Sequence, residues 1–364
     1  MADADLEQLE KHLNEFIVPQ TGAPLGRRGT AFAIEGGSGD CTVKITLGFP
    51  AARSGAALIT ALDAHCQALG WGKPPAFQLK SAIEGHAVQH GLTPLEGVSN
   101  LIAVASGKGG VGKSTVAVNL SIALAQEGAS VGLLDADIYG PSQPRMLGLV
   151  GQRPETHDGK TLEPLQAHGV KAMSIGFLVD DRQPMAWRGP MVTSALSQLL
   201  SDTHWGDLDY LVIDMPPGTG DIQLTLAQRV PVSGAIIVTT PQDVALADAR
   251  KGLEMFQKVS VPILGVVENM SVHICSNCGH EDPIFGEEGG RRLADEYELP
   301  LLGVLPLYRF IHEHTEQGTP SVAADPDGRL AAAYRAIAVR AAGALAATGK
   351  DYSKLFPTIT VEET

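Results

Sequence analysis

Residues 101–116, LIAVASGKGGVGKSTV, join an apolar run, a glycine-rich turn and the start of a helical pattern. Residues 101–105 are typical of a short buried strand, and apolar residues recur at helical spacing from Val116 to Leu124. Between them, residues 107–114 match G-x-x-x-x-G-K-[ST], the loop that binds nucleotide phosphates. Because the motif lies between a predicted strand and a predicted helix, we expect it to be a working phosphate-binding loop.

The residue types of this loop suit a polyphosphate ligand. Glycine leaves the backbone N–H groups accessible to phosphate oxygens, and the N-terminus of the following helix adds a partial positive charge. Lys113 is expected to neutralise the β- and γ-phosphates, and the Ser114 hydroxyl is expected to bind Mg²⁺. The predicted nucleotide-binding residues of the loop are Gly107, Lys108, Gly109, Gly110, Val111, Gly112, Lys113, Ser114 and Thr115.

The composition is that of an ordinary globular protein. The 364 residues are 44% hydrophobic and 19% charged, which suits one large domain and a small one. The net charge of -14 argues against nucleic acid or an anionic membrane as a main partner. We find no 18-residue apolar run and no basic, apolar leader in the first residues, so we expect neither a membrane span nor a signal peptide. Four cysteines make no disulfide framework, so we expect a reducing, cytoplasmic location.

The apolar pattern predicts two structural units. Residues 1–84 are expected to form a small α/β domain, with helices over 6–16 and 56–69 and a strand over 41–47. Residues 85–99 are the predicted linker, and 350–364 an acidic tail. Over 100–349, alternating strands and helices predict an α/β fold with a mostly parallel sheet and helices on both faces. Its predicted strands cover residues 101–105, 131–134, 170–175, 210–213, 235–239, 263–267 and 301–304, and its last helix covers 330–346.

Carboxylates follow two of the predicted strands, where a nucleotide hydrolase needs them. Asp135 and Asp137 come after the strand over 131–134, and Asp214 comes after the strand over 210–213. Ligands of such sheets bind beyond the carboxyl ends of the strands. We therefore expect Asp214 to hold Mg²⁺ and Asp137 to orient the attacking water. Asp135 is expected beside Mg²⁺ or the water.

A second motif, Cys275-Ser276-Asn277-Cys278, brings two thiolates within reach of one metal ion or cluster. Two thiolates are too few for a closed tetrahedral site or a four-cysteine cluster. Three alternatives follow: a zinc site completed by His273 and His280, a redox disulfide, or a cluster shared by two chains. Two other cysteines have no partner at metal spacing and are expected to be packing residues, Cys41 and Cys66.

The phosphate loop resembles the deviant form G-K-G-G-V-G-K-S of the class that includes MinD, ArsA and the nitrogenase iron protein. In that class the early lysine, which matches Lys108, reaches the phosphates bound by the partner of a dimer. Within the class, the chain resembles the Mrp/ApbC iron–sulfur carrier proteins from about residue 100 to 322. The segments that carry this resemblance are 135–142 (DADIYGPS), 187–191 (WRGPM), 214–221 (DMPPGTGD), 240–245 (TPQDVA) and 267–271 (VENMS).

The resemblance implies further details. Asn269 is implied to contact the adenine, and the cysteine pair is implied to hold a cluster. Residues 1–84 are similar to the small domain that is often fused in front of these ATPases. The stand-alone version of that domain commonly has a cysteine where residues 49–53 of this chain have none, which puts an iron role for this unit in doubt.

These observations lead to one main hypothesis and one rival. In the main hypothesis, a homodimer with ATPase activity binds ATP and Mg²⁺, with Lys108, Lys113 and Asp137 as catalytic residues. It holds one labile [4Fe–4S] cluster between the Cys275 and Cys278 pairs of its two subunits and passes it to apo iron–sulfur proteins. In the rival, a regulatory ATPase of the MinD type has a cysteine pair that binds zinc or is structural. The acidic C-terminus lacks the basic amphipathic helix that membrane attachment would need.

Overall fold

The computed structural model describes residues 3–36, 41–70, 74–156, 159–178 and 189–350. The sequence predictions for Trp187, Arg188 and the tail beyond residue 350 lie outside this part of the chain. None of the described helices combines the length and apolar character that crossing a membrane requires.

The amino-terminal unit, residues 3–81, is built around a small sheet. Its elements are α1 (Asp3–Glu15), β1 (Ile17–Val18), β2 (Ala23–Pro24), β3 (Thr30–Glu35), β4 (Thr42–Leu47), α2 (Gly55–Ala68) and β5 (Ala76–Ser81). The strand order is β3-β4-β5, with β3 antiparallel and β5 parallel to β4. Both predicted helices and the predicted strand are confirmed, and β4 buries alternate residues as its sequence pattern requires. The sequence analysis did not predict β3 or β5.

The core of the molecule follows, from β6 onward. Its strands are β6 (Val98–Ala105), β7 (Val131–Asp135), β8 (Leu165–Ala167), β9 (Val170–Ser174), β10 (Leu208–Asp214), β11 (Gly234–Thr239), β12 (Ile263–Glu268), β13 (His273–Ile274), β14 (Glu281–Asp282) and β15 (Leu301–Val304). Its helices are α3 (Lys113–Gln126), α4 (Gln143–Met146), α5 (Gly189–Asp202), α6 (Asp221–Arg229), α7 (Asp243–Lys258), α8 (Gly289–Glu296), α9 (Arg309–Glu316), α10 (Ser321–Ala324) and α11 (Arg329–Ala346).

Eight of the described strands form one sheet in the order β15-β12-β11-β6-β10-β7-β9-β8. Every neighbouring pair in it is parallel except β8 and β9, which are antiparallel. All seven strands predicted for this region are present, so the expected mostly parallel α/β fold is confirmed. Helices cover both faces of the sheet, so its central strands are buried on both sides. For this reason their sequences are apolar along the whole strand instead of alternating.

The register of the sheet brings the predicted site residues to one edge. The phosphate loop follows the carboxyl end of β6, which lies between β10 and β11. Asp214, the last residue of β10, is paired with Asp135, the last residue of β7. Because the strands are parallel, the loops after β6, β7, β10 and β12 all emerge at this carboxyl edge.

The amino-terminal unit is attached to the core through the far end of α3. Glu127, the C-cap of α3, is buried, and its Oε2 accepts three hydrogen bonds of 3.0 Å from the backbone N–H groups of Arg53 and Ser54 and from the Ser54 hydroxyl. Ser54 is the N-cap of α2. A carboxylate from the core thus binds the two residues that lead into α2, next to a helix N-terminus where the dipole favours negative charge.

The predicted linker, residues 85–99, is held by buried polar side chains. The His86 N–H and Nδ1 bond Asn100 Oδ1 at 3.1 and 2.9 Å. Gln89 Nε2 donates to the Ala227 carbonyl at 2.8 Å, and its Oε1 accepts from Val232 N–H at 2.9 Å. The last two residues of the segment already belong to β6. The domain boundaries stay a prediction, but this segment packs on the core.

Candidate functional site

The phosphate loop is shaped by glycines at close approaches. Gly112, the N-cap of α3, has a φ of 83°, and a Cβ there would collide with the Asn269 amide. A Cβ on Gly107 would collide with the backbone of Asp248 in α7. Only glycine fits at these two positions, so the loop lies tightly between α7 and the segment after β12.

Lys113 lies at the centre of a buried polar cluster. Its ammonium forms an ion pair with Asp214 Oδ1 and donates to Ser114 Oγ at 3.1 Å. Gln143 Nε2 donates to the other carboxylate oxygen of Asp214 at 2.8 Å and to the Ser114 carbonyl at 3.1 Å. The structure therefore brings together Lys113, Ser114 and Asp214, as the sequence predicted. It adds Gln143, which the sequence analysis did not single out although it directly follows the DADIYGPS segment.

Asp135 is fully buried, and both of its carboxylate oxygens accept hydrogen bonds. Oδ2 accepts from the backbone N–H groups of Ser142 and Gln143 at 3.0 and 3.1 Å and from the Ser174 hydroxyl at 3.1 Å. Oδ1 accepts from Asp137 N–H at 3.2 Å. Burial, with the neighbouring charge of Asp214, raises the pKa of Asp135 to about 7. Its contacts shape the loop between β7 and α4, and its predicted place beside Mg²⁺ or the water stays a prediction.

Asp137 is half-buried in that loop. Burial raises its pKa, and nearby Asp214 raises it further. Lys113 and the backbone N–H groups of Gly140 and Tyr139 lower the pKa of Asp137, because they stabilise its carboxylate. Asp137 is therefore within electrostatic reach of Lys113 and Asp214, and its predicted role in orienting water stays a prediction.

Two predicted nucleotide contacts have different surroundings. The Lys108 side chain is half-exposed, and no residue in the described ranges forms a hydrogen bond or an ion pair with its ammonium. Asn269, just after β12, is buried, and its Nδ2 donates to the Val111 carbonyl at 2.8 Å. Asn269 therefore holds the phosphate loop in place. Its predicted contact with adenine stays a prediction.

The cysteine pair lies in the turn of a short hairpin formed by β13 and β14, which are antiparallel. Cys275 N–H donates to the His280 carbonyl at 2.9 Å, and Gly279 N–H donates to the Cys275 carbonyl at 2.8 Å. Cys275 is half-buried and Cys278 is exposed. The backbone N–H groups of Cys278 and Asn277, followed by the Cys278 thiol, lower the pKa of Cys275. The turn thus favours the thiolate, the form that binds metal.

The hairpin is attached at the carboxyl edge of the sheet. Ser271 N–H donates to the Leu305 carbonyl at 3.0 Å, and Ile274 N–H donates to the Leu307 carbonyl at 3.1 Å. These bonds hold the segment after β12 against the segment after β15. The thiols therefore share an edge of the sheet with the phosphate loop.

The structure gives the zinc alternative no support. Across the described ranges, no group of three or more Cys, His, Asp or Glu side chains is arranged to bind a metal ion. Both cysteines of the pair are free thiols. Cys41 and Cys66 are buried, as expected for packing residues, and burial raises the pKa of both.

Comparison with known protein families agrees with this geometry. Residues 97–342, more than half of the chain, match the family model described as ParA, NUBPL iron-transfer P-loop NTPase. The chain belongs to this family. The predicted resemblance to the Mrp/ApbC carriers and the predicted P-loop NTPase fold are both confirmed.

The relatives of this NUBPL-type NTPase cover most of its length. The chain is 60% identical over 263 residues to an iron–sulfur cluster carrier protein of Pseudomonas fragi. The matched residues make up 72% of this chain and 92% of that protein. The chain is also 49% identical over 344 residues to an iron–sulfur cluster carrier protein of Haemophilus influenzae. Here the matched residues make up 91% of this chain and 90% of that protein.

A solved structure also resembles this NUBPL-type NTPase. It is a nucleotide-binding protein from Archaeoglobus fulgidus in complex with ADP, in which cobalt was found. The two chains are 38% identical, with a TM-score of 0.55, over 61% of this chain and 88% of the other.

Proposed function

We propose that this chain is an ATPase that carries a labile iron–sulfur cluster and passes it to apo-proteins. The observation that carries the proposal is the exposed hairpin with two free thiols, attached at the edge of the sheet that bears the phosphate loop. Relatives that cover most of this chain are named iron–sulfur cluster carrier proteins.

Binding of a [4Fe–4S] cluster requires two copies of the chain. A [4Fe–4S] cluster takes four thiolates, and one hairpin supplies only Cys275 and Cys278. A symmetric dimer that brings two hairpins together supplies four. Apolar side chains exposed beside the loops of the carboxyl edge support this face as the interface: Tyr139 after β7, Val244 at the start of α7 and Ile284 after β14 are 60%, 69% and 50% exposed. We therefore infer a homodimer that shares one cluster.

The residues present fit a bound nucleotide with Mg²⁺. Ser114 Oγ and the Asp214 carboxylate are the hard oxygen ligands that Mg²⁺ prefers, and we infer that they hold it. When bound, Mg²⁺ would neutralise phosphate charge. Lys113 lies where α3 begins, so phosphates at this helix N-terminus would compete with Asp214 for its ammonium. Gln143 keeps the Asp214 carboxylate in place during this exchange.

Hydrolysis requires a group that orients water. We infer that the Asp137 carboxylate does this, because it lies within electrostatic reach of Lys113 and Asp214 and its raised pKa favours acceptance of a proton. Asp135 positions Asp137 by accepting its backbone N–H. The Lys108 ammonium, which has no partner within the described residues, is available to the phosphates of the second subunit. Nucleotide binding and cluster binding are coupled in this proposal because their loops share one sheet edge.

The test is anaerobic reconstitution with iron and sulfide. The variant Cys275→Ser/Cys278→Ser should lose the broad visible absorbance of the cluster, while a matched Cys41→Ala/Cys66→Ala variant should retain it. The reconstituted wild type should contain about four irons and four sulfides per dimer. A cluster that persists without the hairpin thiols, or one held by a monomer in size-exclusion chromatography, would exclude the proposed site.

A further inference from the structure

A second cavity lies at the opposite end of the core from the phosphate loop. It has a volume of about 550 Å³ and opens between the amino-terminal unit and the first residues of β12 and β15, Ile263 and Leu301. In parallel strands the first residues lie at the edge away from the carboxyl ends. This cavity is therefore separate from the nucleotide site.

The lining of this cavity, here called the arginine cavity, is strongly basic. Arg27 and Arg28 from the amino-terminal unit face Arg291 and Arg340 from the core, and the only carboxylate in the lining is Glu298. The lining thus carries an excess of three positive charges in a chain whose net charge is -14. A lining with four arginines and one carboxylate favours an anion in the space it encloses.

The guanidinium groups have few partners of their own. Arg340 Nη1 donates to the Leu302 carbonyl at 2.9 Å. Within the described part of the chain, the guanidinium groups of Arg27, Arg28 and Arg291 form no hydrogen bond or salt bridge, and the charge of Arg291 also acts on the Glu268 carboxylate. Arg27 and Arg28 are exposed. These donors remain available for a ligand, and the planar guanidinium suits the oxygens of phosphate or carboxylate.

The remainder of the lining is largely apolar. Ile263, Leu299 and Leu301 are half-buried in this wall, and Ala344 of α11 lies beside them. The volume lies within the range of about 300–1,000 Å³ that is typical of small-molecule sites. Basic hydrogen-bond donors next to an apolar wall fit a ligand that has an anionic group and an apolar part.

We propose that the arginine cavity binds a small organic anion that has a phosphate or carboxylate head and an apolar body. The guanidinium groups hold the head, and the wall around Ile263 and Leu299 covers the body. Because the lining comes from both units, the ligand contacts the amino-terminal unit and the core together. This site is independent of the cluster and of the nucleotide.

Isothermal titration calorimetry with octyl phosphate below its micelle concentration tests the proposal. The full chain is used with saturating Mg-ADP, which keeps the phosphate loop filled. We expect saturable binding of one octyl phosphate per chain, and weaker binding of inorganic phosphate and of the uncharged octyl glucoside. The Arg27→Gln/Arg28→Gln variant should bind octyl phosphate at least about tenfold more weakly. A matched control, Arg229→Gln at the exposed end of α6, should bind like the wild type.

Several results would overturn the proposal. One is the absence of saturable binding to the wild type, and another is an equal affinity of the wild type and Arg27→Gln/Arg28→Gln. Equal affinity for octyl phosphate and inorganic phosphate would remove the role of the apolar wall. Loss of binding in Lys113→Ala would assign the ligand to the phosphate loop. Circular dichroism that matches the wild type shows that each variant is folded.

Discussion

Replacing Asp214 with alanine should lower the free energy of unfolding by about 4–8 kcal/mol. Asp214 is fully buried, and the Lys113 side chain that it pairs with is only 6% exposed. Removing one partner of a buried ion pair costs about 3–5 kcal/mol, because the other charge stays buried. The same change leaves Gln143 Nε2 without its 2.8 Å acceptor, which adds about 1–3 kcal/mol.

Urea denaturation followed by circular dichroism measures this loss. The matched control is Asp207→Ala. Asp207 is exposed, and its side chain makes no hydrogen bond within the described ranges. This control should change the free energy of unfolding by no more than about 0.5 kcal/mol. The double variant Lys113→Met/Asp214→Leu removes both charges together. It should be more stable than Asp214→Ala, because no unpaired charge remains buried.

Two outcomes would refute this reasoning. If Asp214→Ala costs no more than Asp207→Ala, the Lys113 ammonium is not buried against this carboxylate. If Lys113→Met/Asp214→Leu loses the sum of the losses of Lys113→Met and Asp214→Leu measured singly, the two side chains do not interact. Either result would also remove the competition between phosphate and Asp214 on which the proposed mechanism depends.

Three further predictions concern other parts of the molecule. Lys113→Ala should reduce ATP turnover to background in a phosphate-release assay, and turnover at the wild-type rate would exclude the phosphate loop as the catalytic site. Glu127→Gln should cost about 1–2 kcal/mol and speed hydrogen exchange at the Arg53 and Ser54 N–H groups but not in β10, and uniform exchange would contradict a local attachment. Iodoacetamide should alkylate Cys275 at a lower pH than an ordinary thiol, because its pKa is lowered. Cys66, whose pKa is raised to about 11, should stay unmodified near pH 8 in the folded protein, and mass spectrometry of the peptides decides the comparison.

Much of the fold was predictable because its signals are local. The strands of the core are continuous apolar runs, and the glycine-rich turn after β6 has a recognisable spacing. The strands β3 and β5 were missed because each is half-exposed and gains its partner only through β4. A pattern of weak alternation does not show which neighbour a strand will pair with.

The candidate site was predictable in part for the same reason. Lys113, Ser114 and Asp214 belong to motifs, and the structure brings them together. Gln143 directly follows the DADIYGPS segment, but its contact with Asp214 spans 71 residues, and Ser174 contacts Asp135 from a separate strand, so the sequence pattern does not show these contacts. The glycine and proline content of residues 85–99 indicates a loop, but it does not show which part of the core the loop packs against. The partners of Gln89 lie more than 130 residues further along the chain.

The position of Glu127 at the end of α3 has a mechanical consequence. The helix has 14 residues and is therefore about 21 Å long. Its first residue is Lys113 of the phosphate loop, and the carboxylate just past its last residue binds Arg53 and Ser54, which lead into α2. A tilt of 10° about the loop would displace that carboxylate by about 3–4 Å, more than three 3.0 Å hydrogen bonds can tolerate. The amino-terminal unit must therefore move together with the nucleotide-binding helix or separate from it.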